Sequence, residues 1–317
     1  MNGIALPKKV KRLFKDIRYD AGLYVMLLPG FLYFFIFKYL PMYGILISFQ
    51  DYNIVTGFSK AGWVGLDVYK YLFSSSSFNS ALMNNIRISL IKIIFGFPLP
   101  IILSLIINEV LSRSYRRLIQ SIVIIPSFIS WFVLYGILVA MCNLDDGIIP
   151  GILRGINSTF GTNIKIVNYM SNKASADAYL QITYVWKGVG MGTVVYLAAI
   201  MGIDQQLYEA AMIDGAGRLK QLWHITLSSI RSTIIVLLIF RVGDIMNAGF
   251  DQVFALSNSL IISEIDIIDT FVYRVGMVEA KFSVATAAGL FKSMIGLVFV
   301  LVTNTIARKV DPASAIM

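Results

Sequence analysis

The sequence predicts an all-α integral membrane protein of six transmembrane helices, with the N and C termini in the cytoplasm. Composition is the first observation: of 317 residues, 57% are hydrophobic and only 14% are charged, too oily for an ordinary soluble domain. The second is length. Six apolar segments can cross a bilayer, which takes about 20 residues of helix: 23–49, 86–110, 118–142, 179–203, 230–250 and 284–307. The third is the placement of Lys and Arg, which sets orientation.

Basic residues cluster at alternate connections. The N-terminal tail carries Lys8, Lys9, Lys11, Arg12, Lys15 and Arg18, and the second-to-third link carries Arg113, Arg116 and Arg117. Arg218 and Lys220 follow in the fourth-to-fifth link, and Arg308 and Lys309 in the C-terminal tail. The positive-inside rule puts all of these in the cytoplasm. The opposite connections are less basic: around 251–281 the acids Asp251, Glu264, Asp266, Asp269 and Glu279 outnumber Arg274 and Lys281. A net charge of +9 therefore reads as anchoring to anionic lipid headgroups rather than to nucleic acid, because most of the bases flank spans. The first apolar run is too long for a cleaved signal peptide and has no small-x-small site after a short core, so it is expected to remain as an anchor.

Along the chain this organises as a basic cytoplasmic tail at 1–18, a first transmembrane helix with an outer loop at 19–84, and a five-helix core at 85–310. The core carries its own cytoplasmic connection at 204–228, and a short cytoplasmic tail closes the chain at 311–317. Pro29 and Pro41 interrupt the first span, Pro98 and Pro100 the second, and Pro126 the third. Each removes a backbone donor and bends a helix, which suits a bundle built around a cavity. Gly188, Gly190 and Gly192 are placed at the start of the fourth span and read as points of close helix approach, not as a phosphate loop, since no strand precedes them.

Arg241 and Asp244 are the deepest ionisable residues in the predicted spans. Three positions apart, they share a helical face and are able to pair; each costs about 2.5–3.5 kcal/mol at a bilayer centre, so neither is expected to face lipid. Extended by Asn247, Asp251 and Gln252, that face reads either as a polar route for a hydroxyl-rich solute or as a structural ion pair that fixes packing. Lys92 and Lys292 are placed nearer the ends of their spans, where they can snorkel, and receive no role. Chemistry is sparse elsewhere. Cys142 is the single cysteine and His224 the single histidine, which excludes an internal disulfide, a zinc cluster and a multi-histidine metal site. The G-x4-G-K-[ST] phosphate cradle is absent, so the chain is not expected to hydrolyse ATP.

The cytoplasmic connection is more informative. Asp204 can cap a helix, Glu209 falls in or near its first turns, and Arg218 and Lys220 follow at its far end, a charge order that suits the helix dipole. Ala210, Ala211 and Ala216 keep its surface low, and Gly215 and Gly217 allow a turn. The result is a short, stiff knob suited to mechanical contact, though an ordinary capped loop helix has the same local signature.

Glu209-Ala210-Ala211, followed by Gly215, Ile225 and Leu227, reads E-A-A-x3-G-x9-I-x-L. It resembles the cytoplasmic signature of permease subunits of binding-protein-dependent ABC importers. Ser228 stands where that family usually has proline. LPGFLYFFIFKYLPMYGILISFQDYN at 28–53, WVGLD at 63–67, NAGFDQVFALSN at 247–258, DIIDTFVYR at 266–274 and ATAAGLFKSMIGL at 285–297 extend the likeness. They are similar to the maltose-type carbohydrate-uptake branch, within it to the group importing complex oligosaccharides and polysaccharide fragments.

The resemblance implies an ABC importer type I permease fold in a bacterial-type cytoplasmic membrane, forming half of a translocation pathway. It implies a second homologous permease subunit, two cytoplasmic ATPase subunits that bind ATP and Mg, and an extracellular solute-binding protein, with no cofactor in this chain. Glu209, Ala210, Ala211, Asp214, Gly215, Ile225 and Leu227 are the residues it assigns to ATPase coupling. Two other readings stay open: an importer on the same chassis for a peptide or phosphate ester, and a multi-span membrane enzyme using the outer acids at 264–269.

Overall fold

The computed structural model describes residues 19–55 and 57–310; the tails expected at 1–18 and 311–317 lie outside the described residues. The chain is helical almost throughout, with one departure from an all-α fold: Gln50–Asp51 pairs antiparallel with Gly62–Trp63 in the outer loop, Gln50 opposite Trp63. Two residues per strand are too few to leave an alternating pattern in the sequence. This ribbon is tied to the last helix, where Ser283 Oγ donates to Gln50 O at 2.7 Å and accepts from the Tyr52 amide at 3.0 Å.

Four helices are long and apolar enough to cross a membrane: Ala21–Phe49, Ser76–Asn108, Lys173–Met201 and Phe282–Ile306. Two further bent pairs, Arg113–Phe128 with Trp131–Cys142 and Arg218–Ser229 with Arg231–Gly243, bring the total to six if each pair is one span. The third expected span is thus broken, by 99°, at Ile129–Ser130. Pro126 sits in the 3₁₀ turn Ile125–Phe128 just before the break, and the Ser130 side chain restarts the helix by accepting from the Val133 amide at 3.2 Å. The fifth also departs from expectation. Its helix stops at Gly243, and 244–249 run as turn and loop before Phe250–Leu256.

The second span begins at Ser76, ten residues before the expected start at 86. Its polar first turns disguise it, but they bond across to other segments: Asn85 Nδ2 donates to Met246 O at 3.1 Å and Asn84 Nδ2 to Ser263 O at 3.0 Å. It widens into a π turn at Lys92–Gly96 immediately before Pro98, whose missing N–H prevents a regular ladder there. The first span behaves differently: none of its most apolar window is buried, and it meets the rest of the fold where Leu40–Phe49 packs on the last helix.

Two apolar clusters organise the interior. One joins Ile88, Leu180, Val253 and Leu256; the other joins Leu72, Phe78, Phe271 and Ala288 and is covered by the short helix Asp67–Ser74, whose Val68 and Leu72 face inward four residues apart. The fourth span, Ala176–Met201, runs through the middle of the molecule, and its glycines lie at mid-helix rather than at its start. A Cβ on Gly190 would sit 2.0 Å from Val123 O, and one on Gly192 3.0 Å from the Pro100 ring. Those two are close-approach glycines, as expected. Gly188 meets nothing within 4 Å and opens onto a cavity instead.

Candidate functional site

Two regions carry polar chemistry. The first is a pair of adjoining cavities of about 320 and 340 Å³ that share Tyr184, Arg241 and Asp244. All five residues singled out for a polar route, Arg241, Asp244, Asn247, Asp251 and Gln252, line the second cavity, together with Lys92 and Trp131. Their convergence follows from the early end of the fifth helix. Once the chain leaves helix at Asp244, residues 247–249 cross the cavity wall and Phe250–Leu256 returns Asp251 and Gln252 to it. Gly249, at φ +96°, makes that reversal, and Lys92 Nζ lies 3.2 Å from where its Cβ would be.

The electrostatics differ from a simple intrahelical pair. Arg241 and Asp244 are not among the ion pairs of the described residues. Arg241 instead donates to the Tyr184 hydroxyl and lies 5.2 Å from that ring's centroid, while Asp244 is exposed in the cavity. Asp244 is the residue at which the fifth helix ends. Lys92 Nζ lies 4.6 Å from the centroid of the Tyr184 ring. One aromatic ring thus meets two cations.

Lys92 also corrects the expectation that it snorkels. It is 2% exposed and donates to Ala248 O at 2.6 Å and to Gln252 Oε1. Gln252, 1% exposed, passes the network on to Leu180 O at 2.7 Å and Thr183 Oγ1 at 3.0 Å. The second and fourth spans and the segment that follows the fifth are therefore knitted behind the cavity wall by one buried chain of hydrogen bonds. Lys292 is likewise no free end: its ammonium bonds both carboxylate oxygens of Asp269, at 2.5 and 2.7 Å. Asp266 pairs with Arg274 at 2.6 Å and Glu264 with Lys173 at 3.7 Å, so each outer acid at 264–269 is committed to a base.

The second region is the connection at 204–228. Asp204 caps the helix Gln205–Ile213 by accepting from the Gln206 amide at 3.0 Å. Glu209 lies in its second turn, near the start as expected, but the helix ends before Arg218 and Lys220, which begin the next one. The expected match of charges to one helix dipole is therefore absent. Gly215, at φ +75°, reverses the chain while Ala216 N bonds back to Ala211 O at 2.8 Å. Glu209, Ala210 and Asp214 are exposed and Ala211 is half-buried. Ile225 and Leu227 pack on Ile200, Ile203 and Ile230 together with Tyr208, whose hydroxyl shares a 2.8 Å hydrogen bond with Thr226. The knob is thus braced from below. His224 is exposed, its Nδ1 3.1 Å from Lys220 O.

A bundle of bent apolar helices enclosing polar cavities, with an exposed braced helix at one connection, defines a membrane transport body. The chain belongs to the family described as binding-protein-dependent transport system inner membrane component, whose model matches residues 96–315. It is 42% identical over 295 residues to Protein LplB of Bacillus subtilis (strain 168), covering 93% of this chain and 91% of that protein. It is 39% identical over 302 residues to the polygalacturonan/rhamnogalacturonan transport system permease protein YteP of the same organism, covering 95% and 92%. Among solved structures it resembles a chain of a bacterial ABC transporter involved in the import of the acidic polysaccharide alginate. There the TM-score is 0.87 at 37% identity, over 95% of this chain and 99% of that one. A second structure of an alginate ABC transporter, in complex with an alginate pentasaccharide-bound periplasmic protein, matches at a TM-score of 0.85 and 37% identity, over 94% and 98%. The chain is a multi-pass permease subunit of an ABC importer in the inner, cytoplasmic membrane, a transport component rather than an enzyme.

Proposed function

We propose that this permease carries an oligosaccharide, forming half of the pathway beside a second homologous permease subunit. In that reading ATP and Mg are bound by two cytoplasmic ATPase subunits, a solute-binding protein delivers the cargo from outside, and both termini lie in the cytoplasm. The two cavities, lined by Asp244, Asn247, Asp251, Arg241, Trp131 and Tyr184, are part of the route. Carboxylates and amides that exchange hydrogen bonds with hydroxyls, set beside aromatic faces, are the groups a sugar ring needs. The observation that carries the reading is the convergence of all five predicted route residues on one cavity wall. The sugar-transport descriptions of YteP and of the alginate importers support the same class.

Coupling runs through the helix Gln205–Ile213. Glu209, Ala210 and Asp214 form its exposed contact, and Ile225 and Leu227 transmit load to the spans rather than touching the motor. Alternation between inward and outward states then follows if ATP and the loaded binding protein both prefer the outward one. The test is uptake of labelled oligosaccharides by cells carrying the assembled importer with Glu209→Lys. Uptake falls to background while membrane insertion is unchanged; uptake at the wild-type rate contradicts the coupling assignment. Selective competition by oligosaccharides, but not by peptides, checks the cargo class.

A further inference from the structure

A third cavity, the largest of those described at about 940 Å³, lies between the second-to-third link and the coupling connection. Its wall carries Arg113, Arg116, Arg117 and Arg218, with Glu109 as the acid among them. Two of these arginines are occupied. Arg116 closes the end of the second span, donating to Asn108 O at 2.8 Å and Val110 O at 2.9 Å, and Arg218 pairs with Glu109 at 3.3 Å. Arg113 and Arg117 take part in no hydrogen bond or ion pair among the described residues. Four positions apart, they present two guanidinium groups on one face of the helix Arg113–Ile124.

Their placement runs against local electrostatics. The positive end of that helix's dipole coincides with three arginines, the first turn holds no acidic residue, and Ser112 makes no side-chain cap. The one acid in this wall, Glu109, is taken by Arg218, so Arg113 and Arg117 are left to an external anion. Paired guanidinium groups recognise the tetrahedral oxygens of phosphate in bidentate fashion.

We propose that this cavity is a specific binding site for an anionic phosphate group, held by Arg113 and Arg117 and bordered by Ala216, Gly217 and Arg218 of the coupling connection. The phosphate comes from an anionic lipid headgroup of the inner leaflet or from a free phosphate. Either ligand bridges the second-to-third link and the connection that follows Glu209, so its occupancy bears on how firmly the coupling helix is seated. The lipid source rests on the inward orientation of this face proposed above; the phosphate chemistry itself does not.

The experiment is native mass spectrometry of the purified full-length chain with phosphatidylglycerol, with phosphatidylcholine, and with millimolar inorganic phosphate as competitor. The wild type retains phosphatidylglycerol in preference to phosphatidylcholine, and R113Q/R117Q binds it about tenfold more weakly. The R113K/R117K variant, which keeps the charge, retains a preference for the anionic lipid and shows that the site survives substitution. R308Q/K309Q, which removes the same charge elsewhere, binds as the wild type does. Resistance to inorganic phosphate identifies the lipid as the source, and displacement by it identifies free phosphate; both outcomes uphold the site. Equal binding by R113Q/R117Q and wild type, or equal loss in R113Q/R117Q and R308Q/K309Q, overturns it. Neither result depends on sugar uptake, so this inference and the oligosaccharide reading fail separately.

Discussion

Lys92 shows how a single buried charge organises the route without lining up with a carboxylate. Its ammonium satisfies the carbonyl of Ala248 and the Oε1 of Gln252 inside the bundle. Leaving such groups without a partner costs about 1–3 kcal/mol each. Lys92→Met is therefore expected to lower the melting temperature of the purified chain by several degrees, read by thermal unfolding in detergent. An unchanged melting temperature would show that the network contributes nothing. Asp244 is the opposite case. Because Arg241 is held by Tyr184, Asp244→Asn strands no buried charge, so expression and melting temperature stay at wild-type values while sugar uptake falls about tenfold, the loss of one charge-assisted contact. Wild-type uptake in that variant would remove Asp244 from the route.

At the scale of elements, the fourth span is the pivot, and two of its glycines separate packing from pathway. Gly190 touches the backbone of the third span so closely that any side chain must push Val123 away, whereas Gly188 faces open space on the cavity. Gly190→Ala is expected to cost about 1–3 kcal/mol, seen as reduced yield and early thermal unfolding. Gly188→Ala folds normally. Equal stability of the two variants would contradict the packing assignment.

The spans themselves were only partly legible in the sequence. The apolar runs located the four long helices and both bent pairs, but the 99° break after Phe128 and the early end at Gly243 depend on tertiary packing that a hydropathy pattern does not carry. The misplaced start of the second span had a further effect. Counting from 86 puts Lys92 near an end, whereas the helix from Ser76 to Asn108 puts it at the middle, where an ionisable residue is a functional candidate. Tyr184 and Trp131 gave no signal, since an aromatic residue in an apolar span is ordinary core until its neighbours are known. The coupling connection was the most legible part: its helix, its Asp204 cap and its Gly215 turn all follow from local residue chemistry. What local chemistry missed there is the brace, because the contact of Tyr208 with Thr226 spans 18 residues.

For the whole molecule, the two polar regions are joined by the same helices. The fourth span carries Tyr184 at the cavity and ends three residues before the Asp204 cap, and the fifth begins beyond the brace and ends at Arg241–Gly243. In the proposed coupling, a displacement of the helix Gln205–Ile213 would reach both walls of the cavity through the fourth and fifth spans. The first span has none of its apolar window buried and stands apart from these helices.

The most direct measurement is a cross-link from the exposed face of that helix. Cys142, the single cysteine, is buried, so Cys142→Ala with Ala210→Cys provides one reactive thiol at the contact. In membranes containing the assembled importer, a short bifunctional thiol reagent is expected to join residue 210 to an ATPase subunit and to abolish oligosaccharide uptake. Absence of any ATPase adduct from this position, with uptake intact, would contradict the account.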